Sequence, residues 1–184
     1  MQNKVCPSFL SGAFNNKLRL LLHNPHSILG DYIKRGDVVA DIGCGPGFFS
    51  LALAEMVGKE GCVLAVDIQK EMLDKLQLAA QNQDLQSRIK LHQCNENSLN
   101  IDEKVDFALA FWMVHEVPNT KRFFDEVVTI LKPGGLFLMV EPKIHTSFST
   151  FQKEINQACS SGLQPHKGIK VNFSRALLFD NPFS

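Results

Sequence analysis

Val38-Val39-Ala40-Asp41-Ile42-Gly43-Cys44-Gly45-Pro46-Gly47-Phe48 passes from a β-branched run through a glycine-rich turn into an apolar-periodic segment. Glycines lack Cβ, so the backbone there can turn sharply and approach a ligand closely. From Phe48 to Val57 the apolar residues Phe48, Leu51, Ala52 and Met56 recur at helical spacing. The stretch therefore reads strand, turn, helix. Gly58 to Gly61 stops the helix, and Cys62 to Asp67 reads as a second buried strand. Met72, Leu73, Leu76, Ala79 and Ala80 trace another helix, fading in the Gln/Asn-rich stretch around 81–86. Ile89 to Gln93 alternates as a third strand. Val105 to Phe111 is a fourth, nearly all apolar, as a strand covered on both faces should be. Asn119 or Thr120 can cap a helix carrying Phe123, Phe124, Val127, Val128 and Leu131. Lys132-Pro133-Gly134-Gly135 is expected to break it, with a fifth strand over Leu136 to Val140.

This alternation of strands and helices specifies an α/β domain on a mostly parallel sheet. The tail departs from the pattern. Ser147 or Ser149 opens a helix with Phe151, Ile155 and Cys159, ended by Gly162. Two extended pieces follow, near 163–167 and 173–179, too close for a helical crossover, so an antiparallel hairpin is expected. Residues 1–35 read as a helical cover with Phe14, Leu18, Leu21 and Leu22 on one face, interrupted at Pro25 and resuming from Ile28 to Ile33. The expectation is one domain over residues 1–184, with 36–184 as its core.

Lys plus Arg equals Asp plus Glu at 19 each, so the chain carries no net charge to attract a phosphate backbone. That argues against a nucleic-acid partner. The five cysteines form no Cys-x-x-Cys pair and no zinc spacing, and the histidines and carboxylates show no ligand pattern. Reduced thiols and no metal are expected. No apolar run approaches the roughly 20 residues that span a bilayer, and the start lacks a signal pattern, so a soluble, cytoplasmic protein without a membrane partner is expected. Oligomeric state is not legible.

In an open α/β sheet, ligands sit beyond the carboxyl ends of the strands. An acid closing the second strand, here Asp67, can accept hydrogen bonds from both ribose hydroxyls of a nucleoside. A dinucleotide fingerprint would place a third glycine at position 48, which is Phe48, and no P-loop is present. A nicotinamide-dependent oxidoreductase is disfavoured on that ground.

Together with Val63-Leu64-Ala65-Val66-Asp67, Val105-Asp106-Phe107 and Leu131-Lys132-Pro133-Gly134-Gly135, the opening stretch resembles the ordered motifs of the class I S-adenosylmethionine-dependent methyltransferases. The likeness runs from about residue 25 to the C-terminus. It implies a Rossmann-like three-layer αβα sandwich whose seven-stranded, mostly parallel sheet ends in an antiparallel hairpin. It also implies S-adenosylmethionine as cofactor and S-adenosylhomocysteine as product. By the same resemblance Gly43, Cys44 and Gly45 meet the methionine part, with Asp41 below. Asp67 holds the ribose, and Ile68 and Met72 flank the adenine. Asn95 takes the place of an Asp that bonds the adenine amino group, and Glu96 offers a backbone N–H.

Phe111 and Trp112 leave the fourth strand where the methyl group should lie, as a pocket wall or as core. His115 is the candidate general base, its ordinary pKa lying near neutrality; a structural place for it stays open. Glu116 and Glu141 end near the same crevice. The fourth strand lacks the Asn/Asp-Pro-Pro-Tyr/Phe pattern of amino-group nucleic-acid enzymes, which points to a small-molecule acceptor. A non-catalytic cofactor-binding module is the alternative.

Overall fold

The computed structural model describes residues 16–182. Seven strands form one sheet in the order β3-β2-β1-β4-β5-β7-β6. They are β1 (Val38–Ile42), β2 (Cys62–Asp67), β3 (Ile89–Gln93), β4 (Val105–Phe111), β5 (Leu131–Pro142), β6 (Gln164–Gly168) and β7 (Ser174–Asp180). The first five run parallel, while β7 lies antiparallel between β5 and β6. The expected hairpin is present.

Because successive side chains of a strand face opposite ways, a strand covered on both sides must be apolar throughout. Val39, Val63, Phe107, Leu109 and Leu138 pack on one face, against α2 (Pro25–Leu29) and α3 (Phe48–Val57). Ala65 faces the same way and meets Leu73 and Leu76 of α4 (Lys70–Gln81). Ala40, Leu64, Ala108, Phe137 and Phe179 line the other face, under α5 (Thr120–Ile130) and α6 (Phe148–Ser161). The chain thus winds one way from β1 to β3 and the other way from β4 onward. The reversal opens a crevice at the carboxyl ends of β1 and β4.

Helix ends follow local chemistry. Asn119 Oδ1 accepts from Arg122 N at 3.0 Å to start α5, and Ser147 Oγ accepts from Thr150 N at 3.1 Å to start α6. Gly162, at φ 112°, ends α6 in the left-handed region. The fifth strand differs from expectation. It begins at Leu131 directly after α5, because Leu131 already pairs with Val105. Lys132 to Gly135 is a bulge in that strand rather than a loop before it, since Phe107 next pairs with Leu136. Asn181 fastens the bulge, accepting from Gly134 N and donating Nδ2 to the carbonyls of Leu131 and Lys132.

Helix α1 (Asn16–Leu22) places Arg19 over the Phe48 ring at the start of α3. His23, 3% exposed, fits edge-on against Phe111 and Trp112 and bonds the Asn172 carbonyl through Nε2 at 2.9 Å. Asn172 Nδ2 donates in turn to the Leu22 carbonyl at 3.0 Å. Leu21, expected on the buried face, is instead exposed, because His23 anchors the helix. Phe14 and the Leu18 side chain lie outside what is described. Among the described residues no helix is long and apolar enough to cross a membrane.

Candidate functional site

The turn after β1 is built by three glycines with different tasks, all at positive φ. A Cβ on Gly47 would stand 2.2 Å from Leu76 Cδ1, and one on Gly43 2.9 Å from Met113. Those two positions are small because α4 and the exit of β4 press on the turn. A Cβ on Gly45 would meet nothing within 4 Å. Open space over a left-handed backbone, at φ 55°, is what close approach by a ligand requires.

Asp67 ties that turn to β2. Its Oδ2 accepts from Gly45 N and its Oδ1 from Gln69 N, both at 2.8 Å. The Ile68 backbone also stabilises it, and a carboxylate with about four acceptor sites still has capacity for a ligand hydroxyl. Asp41, at the end of β1, is 2% exposed and accepts from Ser50 Oγ at 2.5 Å. Burial pushes its pKa up to about 6, against the Ser50 hydrogen bond and the charge of Arg19. Cys44 is buried against Ala65, Leu73 and Leu76, and burial holds its thiol well above the usual range. It therefore contributes as a neutral packing group.

The opposite wall comes from β4. Phe111 is 7% exposed, with its ring centroid 4.4 Å from that of Phe49. Trp112 adopts φ 62°, a costly conformation for a bulky residue. Trp112 N donates to the Val140 carbonyl, and its Nε1 donates to Ser174 Oγ at 2.9 Å. Beyond it, a 3₁₀ turn over Val114–Glu116 presents His115.

Glu141 is the residue that sequence reasoning undervalued. It is 0% exposed and receives four donors: Val114 N, His115 N, Thr146 Oγ1 and, at 2.5 Å, His115 Nδ1. The bond from Nδ1 to this saturated carboxylate fixes the ring, and turns Nε2 of His115 toward Glu116 Oε1, 3.9 Å away. Burial lowers the His115 pKa. The hydrogen bond and charge of Glu141, with Glu116 and Glu154, more than offset this and leave it raised. His145 stacks on the ring at 5.7 Å. Glu154 of α6 is 4% exposed, and its Oε2 has no hydrogen-bond partner. Burial and the Glu141 charge push its pKa up to about 7.

The structure thus brings together Asp41, Gly43, Cys44, Gly45 and Asp67, while Phe111 packs on Phe49 and His115 sits on Glu141 beyond the exit of β4. Met72, 4% exposed, sits in the first turn of α4 beyond Ile68. Asn95 and Glu96 follow β3 at the exposed edge. The Asn95 carbonyl already accepts from Asn97 N and Ser98 N, both at 2.9 Å, so both lone pairs are engaged within its own loop. Three contributors came from outside the motifs: Arg19, His23 and Glu141. Only Glu141 carried a signal, as a charge ending an otherwise apolar strand.

Residues 33–172 match the family described as a methyltransferase domain. The demethylmenaquinone methyltransferase of Lactobacillus johnsonii is 33% identical over 104 residues, 56% of this chain and 43% of that protein. The arsenite methyltransferase of Halobacterium salinarum is 31% identical over 101 residues, 54% of this chain and 26% of that protein. The chain thus aligns with less than half the length of these relatives. A SAM-dependent methyltransferase from Aquifex aeolicus superposes with a TM-score of 0.85 at 23% identity, covering 97% of this chain and 100% of that one. With its strand order, its glycine turn tied to Asp67 and a match over most of its length, the chain belongs to the methyltransferase-domain family.

Proposed function

We propose that this chain binds S-adenosylmethionine across the 41–47 turn and methylates a neutral small molecule by direct in-line displacement. The observation that carries the reading is the Asp67 carboxylate bridging Gly45 N and Gln69 N beside an open Gly45. When bound, the cofactor supplies a methyl group already activated on a sulfonium. The residues therefore need to bind, orient and exclude water rather than provide a nucleophile.

In this reading Asp67 receives the ribose hydroxyls, and Ile68 and Met72 pack on the adenine, with Glu96 offering a backbone N–H. Asn95 stabilises the loop that presents that edge, since its carbonyl is engaged there. Gly43 and Gly45 give the methionine part access to the backbone above Asp41. His115 Nε2 takes the proton of an acceptor that must lose one, and Glu141 stabilises the imidazolium that forms. The Glu141 and Glu116 carboxyl groups lie beside His115, so an anionic acceptor is disfavoured there. A neutral aromatic hydroxyl or a thiol fits better, and relatives named for demethylmenaquinone and arsenite support a small acceptor.

Transfer of labelled methyl groups to a panel of quinols, phenols, thiols and RNA tests this. Transfer to a neutral hydroxyl-bearing acceptor is expected, slowed roughly 100-fold or more in His115→Ala. Cofactor binding with no transfer to any acceptor would favour the non-catalytic module, and preferential RNA methylation would overturn the substrate class.

A further inference from the structure

Arg19, on α1, holds its guanidinium 4.4 Å from the centroid of the Phe48 ring. Phe48 directly follows the glycine turn, so this cation lies beside that turn, near enough to Asp41 for the two charges to interact. Among the described residues no carboxylate is within ion-pair distance of Arg19. Burial disfavours its charge, and the more distant attraction of Asp41 opposes that effect. Asp41 is itself occupied by the Ser50 hydroxyl. The position of Arg19 is set, because His23 one turn later is locked between Phe111, Trp112 and the Asn172 carbonyl.

A partly desolvated guanidinium without an anion gains most from a ligand carboxylate, which it can grip with two parallel hydrogen bonds. The cofactor has one carboxylate, at the far end of its amino-acid tail from the ribose. With the ribose on Asp67, that tail runs over Gly43 and Gly45 toward Phe48. We propose that Arg19 binds the α-carboxylate of the cofactor and thereby fastens α1 as a cover over the bound ligand, an inference that rests on the cofactor assignment above. The aromatic stacking on Phe48 keeps the guanidinium plane oriented before the ligand arrives. Cover and cofactor then stabilise each other: a ligand lacking the carboxylate should bind in the crevice yet leave α1 unfastened.

Calorimetric titration of the full chain with S-adenosylhomocysteine and with 5′-methylthioadenosine, which lacks the amino-acid tail, tests this. Arg19→Met is expected to weaken S-adenosylhomocysteine roughly 10- to 100-fold, as loss of a charge-assisted pair requires. The affinity for methylthioadenosine should stay within about twofold, and Arg19→Lys should recover part of the loss. Independently of any variant, S-adenosylhomocysteine should protect the amides of α1 from hydrogen exchange and methylthioadenosine should not. Equal weakening of both ligands, no weakening of either, or equal protection by both would overturn the role of Arg19. Wild-type protein that binds neither ligand would overturn the cofactor assignment itself.

Discussion

Asp67 and Glu141 both end buried strands, and their partners separate their roles. Asp67 is held by backbone donors alone, from Gly45, Gln69 and Ile68, whereas Glu141 spends its capacity on the 114–115 turn, Thr146 and the His115 ring. Asp67 was legible from sequence because its place after β2 is local. The Glu141 role depends on β5 lying beside β4, which brings residues 26 positions apart into contact. Glu154 makes this cluster sensitive to pH. Its pKa rises from 4.5 to about 7, so the folded chain holds a proton that the unfolded chain releases. That contribution to stability is full below about pH 4.5 and is lost as pH rises through about 7. Glu154→Gln should therefore gain on the wild type between pH 5 and pH 8, by on the order of 1 kcal/mol. Urea unfolding at the two pH values checks this, and a pH-independent difference would contradict it.

At the scale of elements, the glycine turn can be divided experimentally. Gly47→Ala forces a methyl against Leu76 at φ 95° and should destabilise the fold by about 2–3 kcal/mol. Gly45→Ala has room for its methyl and should cost only about 1 kcal/mol in backbone strain, yet it should weaken S-adenosylhomocysteine more than it weakens the fold. Thermal unfolding with and without the ligand separates the two effects; the reverse ranking of stabilities would contradict the division. The periodicity that located α3, α4 and β1 to β4 is local and was readable. The start of β5 was not, because Pro133-Gly134-Gly135 looks like a loop until Asn181, nearly 50 residues on, supplies the hydrogen bonds that make it a bulge.

For the molecule as a whole, the sheet order follows from alternating strand and helix patterns plus one short hairpin, which is why the architecture was visible in the chain. The docking of α1 was not visible, since it depends on His23 meeting Asn172 across most of the sequence. That contact fixes the segment leading out of α1 against the one before β7, and Arg19 then lies beside the turn that begins at Asp41. On the proposed reading, this turn and Asp67 together bind S-adenosylmethionine. Titration calorimetry of wild type and Asp67→Ala with S-adenosylhomocysteine and NAD tests it most directly. The wild type should bind S-adenosylhomocysteine but not NAD, with affinity reduced at least roughly 30-fold in Asp67→Ala. Binding of NAD alone, or unchanged affinity in Asp67→Ala, would contradict it.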